Sequence, residues 1–209
     1  MDDAGLSPRQ LAVRVGVASK TAVKNRLKTG GDLEIVRTYP YRSACPSTVW
    51  RELVVSTKED LFFAGYTNYF LFIDQPNFVA TLRKKPESGC RVRFLLGDPE
   101  GETTRQREAI EDVALSVSTR IRITLENLRK LGGVVNLETR FSISEDAANH
   151  VSLSVFRFDS QALVTPHLAR LVGHDSPLLH LRRRDQDGLF ERFTEQAEEL
   201  WSRATPVGF

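Results

Sequence analysis

Seven residues carry the side-chain types that recognition of a phosphate would need. Arg157 and Asp159 stand two apart at an expected strand–turn–strand, His167 follows Pro166 at the end of that pair, and His180 lies on the next expected strand. Asp98 follows a second run of strand character in Gly97-Asp98-Pro99, and Arg105 and Glu108 open the helix after it. Loops leaving strand ends and helix N-termini commonly hold anions, because backbone N–H groups point outward there and the helix dipole favours negative charge. A pocket offering arginine, histidine and carboxylate would bind a phosphorylated or nucleotide-like small ligand without needing to cleave it.

Each of these residues also has a plainer use. Arg157 and Asp159 can pair across a turn, and His167 can close a strand end. His180, between Leu179 and Leu181, can point to solvent or take one buried hydrogen bond. Arg182-Arg183-Arg184 reads as a solvated edge, and His150 and His174, with polar or glycine neighbours, read as loop residues.

The elements that must position them alternate between helix and strand. Residues 48–58 have helical spacing, with Trp50, Leu53 and Val54 inward. Leu61–Tyr66 and Arg91–Leu96 read as short buried strands. Residues 69–85 form one helix or two pieces divided around Pro76. A long helix is expected from about Thr104 to Lys130, since Ile110, Val113, Val117, Ile121, Leu125 and Leu128 recur at steps that keep to one apolar stripe. Leu137–Ile143 reads as a strand, residues 151–158 and 161–166 as strands joined at Asp159-Ser160, Pro177–Arg182 as another strand, and Phe190–Arg203 as a closing amphipathic helix. Alternation followed by several adjacent strands implies an α/β or α+β sandwich with a mixed sheet.

The front of the chain has a different character. Ser7-Pro8 suits the start of a helix, Gly16 stops it, and Ser19 suits the N-cap of a second helix ending at Thr29-Gly30-Gly31. The block LAVRVGVASKTAVKNRLK has helix-turn-helix spacing, with Ala12 small at the crossing and Val17 and Val23 inside. Ser19, Lys20, Thr21, Lys24 and Asn25 are left on an outer face that suits a major groove, with hydroxyls and lysines for phosphates and Asn25 for adenine. Residues 1–31 are expected to be this unit, 32–47 an extended connector, and 48–209 the larger domain. Two helices are few for an independent DNA-binding domain.

Charge follows the same division. The whole chain carries +2. Six basic residues against two acidic ones give residues 1–30 a charge of +4, leaving −2 for the rest. Basic charge gathered in one short segment suits contact with a polyanion such as DNA, and also suits a solvated helix face. The 2 cysteines, Cys45 and Cys90, make no disulfide framework or zinc spacing, and the sequence offers no metal or cofactor motif. An acidic start without an apolar run argues against a secretory signal, and no stretch has the length of a membrane span. The cytoplasm is the expected compartment.

From Glu34 onward the chain resembles a domain of uncharacterised function found in actinobacterial helix-turn-helix proteins. The stretches that carry the likeness are YPYRS at 39–43, CRVRFLLGDPEGE at 90–102, RIRITL at 120–125, SLSVFRFDSQALVTPH at 152–167, SPLLHLRRR at 176–184 and LFERF…LW at 189–201. The resemblance implies half of a phospholipase D-like fold, a mixed sheet sandwiched by helices, behind a DNA-binding unit that is shortened here. That superfamily places a nucleophilic histidine, a phosphate-holding lysine and an aspartate as His-x-Lys-x4-Asp. With Asp159 as the aspartate, Ser154 falls at the lysine and Ser152 at the histidine. With His150 as the nucleophile, Ser152 and Arg157 fill the other places. A hydroxyl without an adjacent base is a poor nucleophile and brings no positive charge, so neither register supports the superfamily's hydrolysis, and no catalytic residue is assigned.

The expectation is a DNA-binding regulator whose inactive phospholipase D-like domain senses a ligand or mediates homodimerisation, since superfamily members commonly bring two halves together. Two rivals stand beside it. One is a phosphodiesterase or nuclease rearranged around Asp159, His167 and His180. The other is a non-DNA-binding interaction module that modulates a fuller homologue.

Overall fold

The computed structural model describes residues 34–208 apart from 76, 112–115, 169, 170 and 185. The expected helix-turn-helix, with Ser19, Lys20, Thr21, Lys24 and Asn25, lies outside the described residues.

One mixed sheet of 8 strands organises the chain in the order β1-β7-β6-β5-β2-β3-β4-β8. At its centre β2 (Asp60–Ala64), β3 (Arg91–Leu96) and β4 (Leu137–Phe141) run parallel. On one side β5 (Leu153–Phe158), β6 (Gln161–Pro166) and β7 (Leu178–Arg182) continue antiparallel, and β1 (Ile35–Tyr39) closes that edge against β7. The two-residue β8 (Thr205–Pro206) closes the other edge.

Seven helices are described. α1 (Ser47–Ser56), α2 (Tyr69–Asp74), α3 (Phe78–Glu87), α4 (Glu102–Glu111), α5 (Ser116–Arg129) and α6 (Ala147–Ser152) are followed by α7 (Leu189–Arg203). The sheet has two apolar faces, which explains why β2 is buried at every position instead of alternating. On the first face Phe63 stacks on Phe94 at 4.8 Å, and Trp50 of α1 meets Phe156 edge-on at 5.2 Å. Leu71 of α2, Leu82 of α3 and Ile121 of α5 complete that core. On the second face α7 lays Phe190, Ala197, Leu200 and Trp201 over Phe62, Ala64, Val155 and Val164.

The second face also buries charge. Arg93, 1% exposed, stacks on Phe62 and donates to both Asp60 and Glu198 of α7, at 2.6 Å to the latter. Arg157 joins it, with Nε 2.8 Å from Asp60 and Nη1 2.9 Å from Glu198. The two carboxylates stay ionised against their own burial, because the guanidiniums beside Asp60 and Glu198 hold their pKa values below the usual carboxylate range.

Several sequence expectations change. The stretch read as a connector contains edge strand β1 and a 3-10 turn at Arg42–Ala44. Just ahead of β1, the fully buried Glu34 accepts the backbone N–H of Phe190 at 2.8 Å and of Arg184 at 2.9 Å. It thereby caps α7, and a side chain at Gly188 would strike its carboxylate. The single long helix from 104 to 130 is two helices, and Ile110, expected on the stripe, is 55% exposed. Glu108 marks the reason: its Oε1 accepts the Ser118 N–H at 2.7 Å, capping α5. Residues 151 and 152 belong to α6 instead of β5, and His150, expected in a loop, is fully buried in α6.

Candidate functional site

Strand parity divides the seven expected site residues. Successive side chains of a strand point to opposite faces, so Ser154, Phe156 and Phe158 of β5 face the first core while Val155 and Arg157 face α7. Arg157 is therefore held on the far side of the sheet from Ser154, in the buried ion network. Asp159 sits at the opposite end of β5 from Ser154, in the left-handed region with φ 52°. Its carboxylate accepts the backbone N–H groups of Lys58, Glu59 and Asp60 at 2.8, 3.1 and 2.9 Å, tying the β5–β6 turn to the start of β2.

The others are also apart. His180 Nε2 lies 3.0 Å from Gln161 Oε1, near the β1 edge. Asp98 accepts the Glu100 N–H at 2.9 Å and lines a separate hollow with Tyr66 and Ser142. Arg105 is exposed and pairs with Glu102. Of the seven, His167 alone lines the cavity described next.

That cavity, about 70 Å³, opens on the first face of the sheet beyond the C-terminal end of β2. Its floor is Ser154 and Phe156 of β5 with Gly65 to Asn68 of the β2–α2 loop, and its walls come from Arg42, Arg107, Glu111, Arg120, His167 and Gly173. His167 Nε2 stands 2.8 Å from Ser154 Oγ, and its backbone N–H bonds the Ser152 carbonyl at 2.8 Å. Gly173 packs so closely that a Cβ there would lie 3.2 Å from the His167 ring and 3.3 Å from Arg42 Nη1, which puts imidazole and guanidinium side by side.

The electrostatics of this cavity are positive. Glu111 pairs with Arg107 at 3.1 Å and also with Arg120. Arg42 Cζ stands over the Phe70 ring, 3.9 Å from its centroid, and among the described residues no carboxylate bonds its guanidinium. Burial pushes Arg42 down to about 10, opposed by Asp74 and assisted by Arg120, so it remains protonated at neutral pH. Burial, with Arg42 and Arg107 nearby, pushes His167 down to about 4. Among the described residues lining it, three guanidiniums thus accompany one carboxylate beside a neutral imidazole, a set of groups suited to an anion. Behind it, His150 Nδ1 is 3.0 Å from Ser142 Oγ, and burial followed by the charge of His167 lowers it to about 3.

Sequence reasoning missed Ser154 as a base-paired hydroxyl and missed Arg42, Arg107, Glu111 and Arg120. The hairpin register held a signal for the first. With Ser154 opposite Thr165, His167 is its diagonal neighbour on the same face, within reach of a long side chain. The arginines come from segments far apart in sequence and left no local pattern. Among the described residues no group of three or more His, Cys, Asp or Glu side chains could hold a metal, and no helix is long and apolar enough to cross a membrane.

A family model described as Domain of unknown function (DUF5919) matches residues 71–208. No curated protein matches the sequence. Among solved structures, the chain is similar to TrmBL2, an archaeal chromatin protein whose structure shows a novel mode of DNA binding, at 16% identity over 95% of this chain and 67% of that one, TM-score 0.48. It is similar to Nuc, a phospholipase D family member from Salmonella typhimurium, at 10% identity over 78% of this chain and 90% of that one, TM-score 0.43. It is also similar to phosphatidylserine synthase of Haemophilus influenzae Rd KW20, at 14% identity and TM-score 0.47. There the alignment takes in 98% of this chain but spans about half, 49%, of the synthase.

Proposed function

The chain belongs to the family described as Domain of unknown function (DUF5919), whose description names no activity, and from that premise we propose that it is a DNA-binding regulator whose α/β domain binds a phosphorylated small ligand in the Arg42–His167 cavity. The observation that carries the reading is the balance of charge among the described residues that line it: Arg42, Arg107 and Arg120 with one carboxylate, Glu111. The size of the cavity, about 70 Å³, suits one compact anionic group and leaves the rest of a ligand outside. Residues 1–31 serve as the DNA-contacting unit in this reading, with Lys20 and Lys24 on phosphates and Asn25 on a base edge. The protein works as a homodimer in the cytoplasm, since two copies double a contact that one short basic segment makes weakly. Arg157 and Asp159 serve the fold in this account, one in the ion network and the other in a backbone clasp.

Electrophoretic mobility shift with the DNA upstream of its own coding sequence tests the first half, combined with light scattering for the dimer. Retardation at low salt is expected, falling steeply as salt rises and weakened by Lys20→Ala and Lys24→Ala together. No retardation at low salt removes DNA from the account.

A further inference from the structure

We propose that Ser154 is a nucleophile, with His167 as its base, for phosphoryl transfer from a phosphodiester bound in the same cavity. The sequence places no base beside either serine; the fold supplies one from the far end of the next strand. Ser154 Oγ lies 2.8 Å from His167 Nε2, within proton-transfer distance. The main chain of His167 is tied to the Ser152 carbonyl, and Gly173 packs near its ring, where a Cβ would lie 3.2 Å from it.

The ring is neutral at pH 7 because burial and the cations Arg42 and Arg107 disfavour its charged form. With its proton on Nδ1, Nε2 accepts from the Ser154 hydroxyl. An anion bound beside these cations offsets their effect on the ring, and this favours proton uptake by His167 when the anion is present.

The chemistry balances within the site. Ser154 Oγ attacks phosphorus, its proton passes to His167 Nε2, and the bond from phosphorus to the leaving oxygen breaks. His167 then returns the proton to the departing alkoxide. Water attacks the phosphoserine with His167 again as base, freeing Ser154, so that phosphodiester and water become phosphomonoester and alcohol. Arg42, beside His167, is placed to hold the non-bridging oxygens as charge builds on them. This differs from the His-x-Lys-x4-Asp scheme in both nucleophile and base: hydroxyl replaces imidazole as the attacking group, and arginine replaces lysine as the anion holder.

The proposal rests on the anion-binding reading of the cavity, and its test separates the two. The folded full-length protein is incubated with a fluorophosphonate probe, and the adduct is located by intact mass and peptide mapping. In parallel, the same preparation is melted with inorganic phosphate at constant ionic strength. The expected result is an adduct on Ser154 that is absent in Ser154→Ala and forms at least tenfold more slowly in His167→Gln, with circular dichroism confirming that both variants fold. No adduct on Ser154 in the wild type, or an undiminished rate in His167→Gln, overturns the proposal. If phosphate still raises the melting temperature in that case, the anion-binding reading stands without the chemistry. If it does not, both fall together.

Discussion

His150 and His167 show how far burial can move a single ionisable group. Both titrate below the ordinary 6.5, His150 at about 3 and His167 at about 4. Between the unfolded and folded values the unfolded chain binds protons that the native chain refuses, so stability falls as pH falls through that window. His150 alone is expected to cost about 2 kcal/mol at pH 5 relative to neutral pH, in the same direction as His167. Urea unfolding at pH 7.5 and pH 5 measures this, and His150→Asn is expected to flatten the dependence even where it lowers stability throughout. An unchanged slope in that variant contradicts the assignment. Very little of this was legible from neighbouring residues. Polar flanks made His150 look like a loop residue, whereas its burial comes from α6 packing near Tyr66, whose ring is 5.3 Å away. The expectation that neither serine had a base failed for a similar reason, because His167 is remote in sequence and adjacent across the hairpin.

At the level of elements, the strands and most helices could be read directly, since β2, β3 and α7 carry their burial in the order of their apolar residues. The break between α4 and α5 could not, because the apolar stripe continues through it and the cap is a glutamate ten residues before its partner. Strand parity then decided which candidates meet. Arg157 and Ser154 are near neighbours in sequence on opposite faces of the sheet, and no motif alignment distinguishes faces until the pairing register is known. The ion network that captured Arg157 makes its own prediction. Asp60→Ala leaves Arg93 and Arg157 short of an acceptor in a buried setting and is expected to cost about 3 to 5 kcal/mol. Asp159→Ala, which removes the acceptor of three backbone N–H groups, is expected to cost about 1 to 3 kcal/mol. Denaturant melts check both, and a change of less than half a kcal/mol for Asp60→Ala would remove the network from the account of stability.

Over the whole molecule, a mixed sheet covered on both faces brings segments together that no local reading connects. Arg42 arrives from the turn after edge strand β1, Arg107 and Glu111 from α4, Arg120 from α5, Ser154 from β5 and His167 from the end of β6. The sequence led to an expectation of anion recognition; of its seven candidates His167 lines the cavity, and the rest lie over both faces and several edges. The measurement that tests the central claim most directly is a calorimetric titration of the full chain with inorganic phosphate at fixed ionic strength, in wild type, Arg42→Ala and Arg105→Ala. Arg42→Ala is expected to weaken binding about tenfold or more, the loss of one charged hydrogen bond, while Arg105→Ala, an exposed residue paired with Glu102, leaves it unchanged. Phosphate that does not bind, or that binds equally well without Arg42, contradicts the account.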